Sequence, residues 1–236
     1  MGFEIVCQVR PFLPTLQPSN KTLICDETIV VFTSGTGLSG GLPPLYPDLP
    51  TEDYVVISSL VNRFVNCNSK QIRLHALPGE RCLLFVRPIT DVQNVDEYRL
   101  NDSKEAIKND KLTSFRPDTA WRAFFMSIKP EPFGKYAVEN KLPLPGKRMV
   151  LWTKELEDRY FSKSSKRPGL FGLRKDYEQF TAIVSFSNVV YSTDRTKAVC
   201  YFGEVSDGET GAGYLIFLEN TGDTWLVAGS QMLWIA

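Results

Sequence analysis

The fold is decided by IVSFSNVVYS (183–192), KAVCYFGE (197–204), GYLIFLE (213–219) and TWLVAGSQMLWI (224–235), four segments rich in β-branched and aromatic residues. Turn residues separate them at Thr193–Arg195, Asp207–Gly208 and Asn220–Asp223. Short strands joined by such turns pair with their chain neighbours. The spacing therefore predicts a four-stranded antiparallel meander.

The second of these segments carries apolar side chains on both of its faces. Ala198, Cys200 and Phe202 fall on one face because side chains alternate along a strand. Val199 and Tyr201 fall on the other face. A strand that is apolar on both faces is expected at the centre of a sheet, with a layer of structure packed on each side.

Helical patterns precede the meander. Thr51 is predicted to cap the first helix, with Glu52 and Asp53 in its first turn, where carboxylates suit the helix dipole. An apolar stripe at helical spacing follows, made of Tyr54, Ile57, Leu60, Val61, Phe64 and Val65. Asp118 is predicted to cap a second helix, and Lys154–Phe161 to form a short third one.

Helices first and a closing meander last are typical of the α+β class. We expect helices that precede and pack on an antiparallel sheet ending in a four-stranded C-terminal meander. One domain over 1–236 is predicted, made of a strand and Gly/Pro-rich loop segment (1–50), a mixed helical segment (51–182) and the meander (183–236). Further strands are predicted at 4–9, 28–33, 72–77, 81–86 and 149–152, a loop at 35–50, helical turns and loop at 91–116, and an extended stretch at 129–148.

Composition excludes several classes of protein. The 236 residues include 27 Lys or Arg and 27 Asp or Glu, so the formal net charge is zero. This balance argues against a dedicated binder of nucleic acid or of anionic membranes, which needs a basic footprint. No apolar run approaches the roughly 18–20 residues of a membrane span, and the N-terminus does not predict a signal peptide. We therefore expect no nucleic-acid partner and no membrane span.

The number and spacing of the cysteines indicate in which cellular compartment the protein is expected. Cys7, Cys25, Cys67, Cys82 and Cys200 form no C-x-x-C pair, so no zinc or redox site is predicted. An odd number without a disulfide framework fits a cytoplasmic protein. Cys25, Cys82 and Cys200 lie inside apolar runs and are expected to be buried small side chains. An extracytoplasmic location after removal of a signal peptide is the alternative, and a Cys67–Cys82 disulfide would fit it.

Two glycine motifs fall in the loop at 35–50. Gly35–Gly40 matches G-x-G-x-x-G, but the prolines that follow prevent the helix that a dinucleotide site needs. Gly37–Gly41 matches G-x-S-x-G around Ser39, but the only histidine, His75, lies too near in the chain for a hydrolase sheet. Both matches are interpreted as coincidence, and His75 as structural.

Other candidate groups are weaker still. The carboxylate pairs Glu52–Asp53 and Glu155–Asp158 are predicted to be solvated, as is the basic run Lys163–Arg167. Asp207–Gly211 is too short for a calcium loop. Four aromatic residues of the meander could line a pocket, although aromatic residues in a meander are usually core: Tyr201, Tyr214, Trp225 and Trp234.

The C-terminal motifs resemble the ending of a set of uncharacterised bacterial proteins. The motifs are Ser185–Tyr191, Asp194–Ala198, Gly211–Tyr214, Gly222–Trp225 and Leu233–Ile235. This resemblance implies the fold and no catalytic residue. The order of helices and meander is also similar to the NTF2-like superfamily, whose members are often pocket-bearing binders or enzymes, although such chains normally open with a helix.

We expect a non-enzymatic binding protein for a protein partner or a small apolar ligand. The alternatives are a pocket-bearing enzyme of hydrolase or lyase type that uses a buried carboxylate, and a partner-capping or toxin-neutralising protein. No catalytic residue, metal or cofactor is predicted, and the ligand-binding residues are left open. A monomer or a homodimer is expected.

Overall fold

The computed structural model describes residues 46–65, 82–91, 93–109, 111, 115–163, 165–166, 169–207, 210–222 and 224–236. Five helices lie in these ranges: α1 (Thr51–Phe64), α2 (Glu97–Lys108), α3 (Thr119–Ser127), α4 (Lys154–Phe161) and α5 (Gly169–Asp176). The same residues form seven strands: β1 (Leu83–Val86), β2 (Arg148–Leu151), β3 (Phe180–Phe186), β4 (Val190–Tyr191), β5 (Lys197–Asp207), β6 (Thr210–Asn220) and β7 (Trp225–Ile235).

The described strands form one sheet in the order β2-β1-β3-β5-β6-β7, with β4 pairing beside β5. The pairs from β3 through β5 and β6 to β7 are antiparallel, which confirms the α+β class and the closing meander. The pairs β1–β2 and β1–β3 are parallel. Sequence analysis did not predict the parallel pairs, because helices connect these strands and no local turn signal marks the pairing.

One face of the sheet packs against α1. Its apolar stripe meets Ala198, Cys200 and Phe202 of β5 in a single buried cluster that also takes in side chains of β1, β3 and β6. Val199 and Tyr201 belong to a different cluster, together with buried residues of α2 and α3. The prediction of a central strand covered on both sides is therefore confirmed.

Two helix pairs cover the opposite face of the sheet. The pair α2–α3 packs on β5 and β6 through Trp121 and Phe125, which are both fully buried. The pair α4–α5 packs on β1 and β3 through Tyr160 and Leu173. Because each pair has its own cluster of apolar contacts with the sheet, the side chains between the two clusters are not covered by either pair.

The helix boundaries confirm some of the sequence expectations and correct others. Asp118 caps α3 by accepting a hydrogen bond from the backbone N–H of Trp121 at 2.7 Å, as predicted. Thr51 was predicted to cap α1, but it is the first helical residue and Pro50 holds the cap position without a side-chain bond. The expectation of short helical turns at 91–116 was also wrong, because Asp96 caps a helix of 12 residues there.

The remaining elements are placed as follows. The strand at Arg148–Leu151 and the helix at Lys154–Phe161 agree with prediction, whereas α5 was not predicted at all. The strands expected at 4–9, 28–33 and 72–77 lie outside the described residues.

In the part of the chain that is described, no helix is both long and apolar enough to cross a membrane. The single-domain organisation over 1–236 stays a prediction.

Candidate functional site

A groove of about 460 Å³ opens between the pair α4–α5 and the segment 87–94 that follows β1. The carboxyl ends of parallel strands are where open sheets commonly bind ligands, and β1 and β3 both end beside this groove. Its wall is formed about equally by polar and apolar surface, from Arg87, Asp91, Asn94, Phe161, Gly169, Leu170, Ile183, Ser185, Tyr201, Val205 and Trp234.

Three hydrogen-bonding side chains from three strands meet on the floor of the groove. The indole N–H of Trp234 donates to the hydroxyl of Tyr201 at 3.0 Å. The hydroxyl of Ser185 is hydrogen-bonded to the same Tyr201 oxygen. Burial raises the pKa of Tyr201, so its hydroxyl stays protonated at neutral pH. These bonds hold both rings in place before any ligand arrives.

Glycines in the strands make room for these rings. A Cβ atom at Gly203 would collide with the hydroxyl of Tyr201, and a Cβ atom at Gly213 would collide with the indole of Trp234. Glycine inside a strand often marks such a close approach. The floor of the groove therefore depends on Gly203 and Gly213 as much as on the aromatic side chains.

Charged groups stand at the mouth of the groove. Arg87 pairs with Glu157 at 3.1 Å, and its guanidinium lies 5.7 Å from the centre of the Trp152 ring. The Trp152 indole donates to the same Glu157 oxygen, so one carboxylate holds both side chains. A guanidinium carries five N–H donors, and Arg87 can therefore keep this pairing and still donate to a ligand.

Asp91 is held on the opposite side of the mouth. Its carboxylate accepts from the backbone N–H of Gln93 at 3.0 Å and from the side-chain amide of Asn94 at 2.7 Å. Arg99 in turn donates to the amide oxygen of Asn94 at 2.6 Å. The orientation of Asn94 is fixed by these two bonds, and its amide is a defined polar group at the edge of the groove.

A second cavity of about 470 Å³ adjoins the groove. Arg87 and Asp91 line both spaces. Its other lining residues are Tyr46, Pro88, Ile89, Thr90, Gln93 and Lys135. Because most side chains around this cavity are exposed, whereas hydrogen-bonded aromatic side chains of the sheet form the floor of the groove, we take the groove as the main candidate site.

Asp53 is a buried carboxyl group away from both cavities. It is 1% exposed, and its two oxygens accept from the backbone N–H of Val189 and the hydroxyl of Tyr191, each at 2.9 Å. Burial raises the pKa of Asp53 to about 6. The prediction that Glu52 and Asp53 are both solvated is wrong for Asp53, because the start of α1 packs against the β3–β4 connection; Glu52 is exposed and pairs with Arg195.

The aromatic residues singled out in the meander divide into two groups. Tyr201 and Trp234 line the groove. Trp225 packs against Tyr191 with ring centres 5.4 Å apart, and Tyr214 stacks on Phe64 at 6.2 Å, both on the α1 face. The core interpretation therefore fits Trp225 and Tyr214, and it also fits Tyr201, which is fully buried beneath the groove; the pocket interpretation fits Trp234 and the part of Tyr201 that borders the groove.

The other sequence candidates do not join the groove. Glu155 and Asp158 are exposed, as predicted, and Asp158 pairs with Lys154 at 2.5 Å. Lys163 and Lys166 of the basic run are also exposed. Outside the described residues lie Gly35–Gly41 with Ser39, His75, Ser164, Arg167, Gly208 and Glu209. Among the residues that are described, no group of three His, Cys, Asp or Glu side chains could hold a metal ion.

The two described cysteines differ in their chemistry. Cys200 is a free, fully buried thiol, and burial raises its pKa. Cys82 is buried as well, and it is disulfide-bonded, a point that the sequence left open. The cysteine that pairs with Cys82 is not among the described residues, and the same holds for Cys67.

No family model, curated protein or solved structure matches the chain. The resemblance to uncharacterised bacterial proteins and to the NTF2-like superfamily stays a prediction. Sequence reasoning missed Arg87, Asp91, Asn94 and Ser185 as lining residues. The signal that could have located the floor is the pair of glycines at 203 and 213 inside two predicted strands.

Proposed function

We propose that the chain is a non-enzymatic binding protein whose groove takes a small apolar ligand. The observation that supports this is a preformed space of about 460 Å³ with an aromatic floor and a few polar groups at its mouth. Small-molecule sites commonly have this size and combine apolar and aromatic walls with a few oriented polar groups.

The lining restricts the chemistry of the ligand. The two bonds among Tyr201, Trp234 and Ser185 use two of their three N–H and O–H donors, so the floor offers flat aromatic contact and one hydroxyl donor. Arg87 and Asn94 at the mouth can donate to an acceptor. The proposed ligand therefore has a flat apolar body with a polar or anionic group at one end.

Asp53 does not lend support to the enzyme alternative. That alternative needs a buried carboxyl group with a raised pKa inside a cavity. Asp53 has the burial and the raised pKa, but both of its oxygens are engaged and it lines neither of the two cavities. The enzyme and the partner-capping alternatives stay predictions, as do the absence of a cofactor and the monomeric or homodimeric state.

The compartment belongs to this proposal as well. The cytoplasmic location expected from the cysteine pattern competes with an extracytoplasmic one. The disulfide at Cys82 supports the second, because disulfides persist mainly in oxidising compartments.

Fluorescence titration with anilinonaphthalene sulfonate tests the proposed function, because this probe has flat aromatic rings and an anionic group. We expect saturable binding by the native protein. The V205F variant places a ring in the groove and should abolish this binding. V55F makes the same exchange at a side chain of α1 that is 60% exposed, and serves as the matched control.

Thermal unfolding of both variants checks that they are folded. Binding that V55F leaves intact and V205F removes agrees with the proposal. Binding that persists unchanged in folded V205F, or native protein that does not bind the probe, would contradict it.

A further inference from the structure

The segment 159–175, RYFSKSSKRPGLFGLRK, concentrates the positive charge of the chain. It contains six Lys or Arg and no Asp or Glu, in a chain that has 27 residues of each sign. The net charge of zero for the whole chain therefore combines a strongly basic segment with a remainder that is net acidic. This local concentration is what an anionic surface would meet.

The lysines of this segment are open to solvent. Lys163, Lys166 and Lys175 are exposed, and none of the three forms an ion pair within the part of the chain that is described. Arg159 differs, because it pairs with Asp176 at 2.8 Å. The three lysines can therefore contact an external anion without breaking an existing pairing.

Two phenylalanines stand out among these cations. Phe171 on the first turn of α5 is 82% exposed, the largest exposed fraction among the exposed large apolar side chains of the described residues. Phe161 at the end of α4 is 45% exposed and keeps one edge against Trp152. Burial of a phenylalanine side chain stabilises a protein by about 1.5–3 kcal/mol relative to exposure, and Phe171 does not contribute this stabilisation.

We propose that Lys163, Lys166 and Lys175 dock the chain on an anionic lipid surface, with Phe171 inserted into the interface between headgroups and acyl chains. Lysine attracts anionic headgroups, and exposed aromatic rings enter this interface. The charge of the segment is complementary to such a surface, and the exposed ring supplies the apolar part. Phe171 directly follows Gly169 and Leu170, which line the groove, so docking brings the lip of the groove to the lipid. The docking itself does not rest on the proposed ligand of the groove.

Flotation with vesicles tests this proposal on the full chain. We expect binding to vesicles of equal parts phosphatidylserine and phosphatidylcholine, no binding to phosphatidylcholine alone, and release at high salt because exposed charges are screened. The double variant K163A/K166A should weaken binding about twenty-five-fold, since each lysine near the surface contributes about fivefold. F171A should weaken it about tenfold, and F171W should retain it.

Matched controls carry the same exchanges elsewhere. K108A/K111A removes two exposed lysines at the end of α2 and beyond it, and Y98A removes another exposed aromatic ring. Both should bind as the native protein does, and circular dichroism checks that every variant is folded.

Four results would overturn the proposal. They are no binding to the anionic vesicles at low salt, equal binding to neutral vesicles, equal losses in the control variants, and tighter binding to polyuridylate through the same lysines. The last result would assign the segment to nucleic acid. None of the four depends on whether the groove binds the fluorescent probe, so the two proposals fail separately.

Discussion

Replacement of Asp53 by asparagine should stabilise the protein at neutral pH. The pKa of this carboxyl group rises from 3.8 to about 6 in the folded chain, mainly through burial. Between these two pH values the folded state keeps a proton that the unfolded state has already released. The free energy of unfolding therefore falls as the pH rises from about 4 to about 6, and stays lower above that range.

The magnitude follows from the size of the shift. One pKa unit corresponds to about 1.4 kcal/mol, so ionisation of Asp53 lowers the free energy of unfolding by about 3 kcal/mol. An asparagine can accept from Val189 N–H and donate to the Tyr191 oxygen. Allowing about 1 kcal/mol for the rearranged hydroxyl, we expect D53N to be about 2 kcal/mol more stable than the native protein at pH 7.

Urea unfolding followed by tryptophan fluorescence measures this effect at several pH values. D53N should be slightly less stable than the native protein at pH 4, because the cost of about 1 kcal/mol for the rearranged hydroxyl outweighs the small effect of ionisation there. The difference should change sign as the pH rises and reach about 2 kcal/mol in favour of D53N at pH 7. E52Q removes the neighbouring, exposed carboxylate, a minor cause of the raised pKa of Asp53, and should therefore reduce the slope only slightly. D53A leaves two buried donors unpaired and should be less stable at every pH. The reasoning fails if D53N is less stable than the native protein at pH 7 while E52Q is not.

Two further predictions concern the groove and the disulfide. The G213A variant adds a Cβ atom that displaces the Trp234 indole. Thermal unfolding should show that its free energy of unfolding is lower by about 2 kcal/mol, and probe binding should be lost. A folded G213A variant with native affinity for the probe would contradict the role of this glycine. Reduction with dithiothreitol breaks the disulfide bond of Cys82 and should lower the free energy of unfolding by about 3 kcal/mol. A thiol assay that counts five free thiols per chain before reduction would contradict this bond.

Much of the fold could be predicted because its signals are local. The turns at Thr193–Arg195 and Asn220–Asp223 join strands that are neighbours in the chain, and the meander was found from them. The helix α2 was underestimated because only Leu100, Ser103 and Ile107 are buried along its 12 residues, which gives a weak apolar stripe. The helix α5 has glycines at its first and fourth positions, which lower helix propensity and conceal it.

The site could not be predicted because its parts come from distant stretches of chain. The burial of Asp53 depends on Val189 and Tyr191, which lie more than 130 residues further along. The groove depends on two helix pairs packing separately on one face of the sheet. Neither arrangement has a local sequence pattern, and the parallel pairing of β1 with its two neighbours has none either.

The strand β5 links the two faces of the sheet mechanically. Tyr201 faces the groove, while Cys200 and Phe202, its neighbours in the chain, face the cluster under α1. The backbone of β5 therefore supports both surfaces, so a substitution that moves Tyr201 is expected to disturb the packing beneath α1 as well as the floor of the groove.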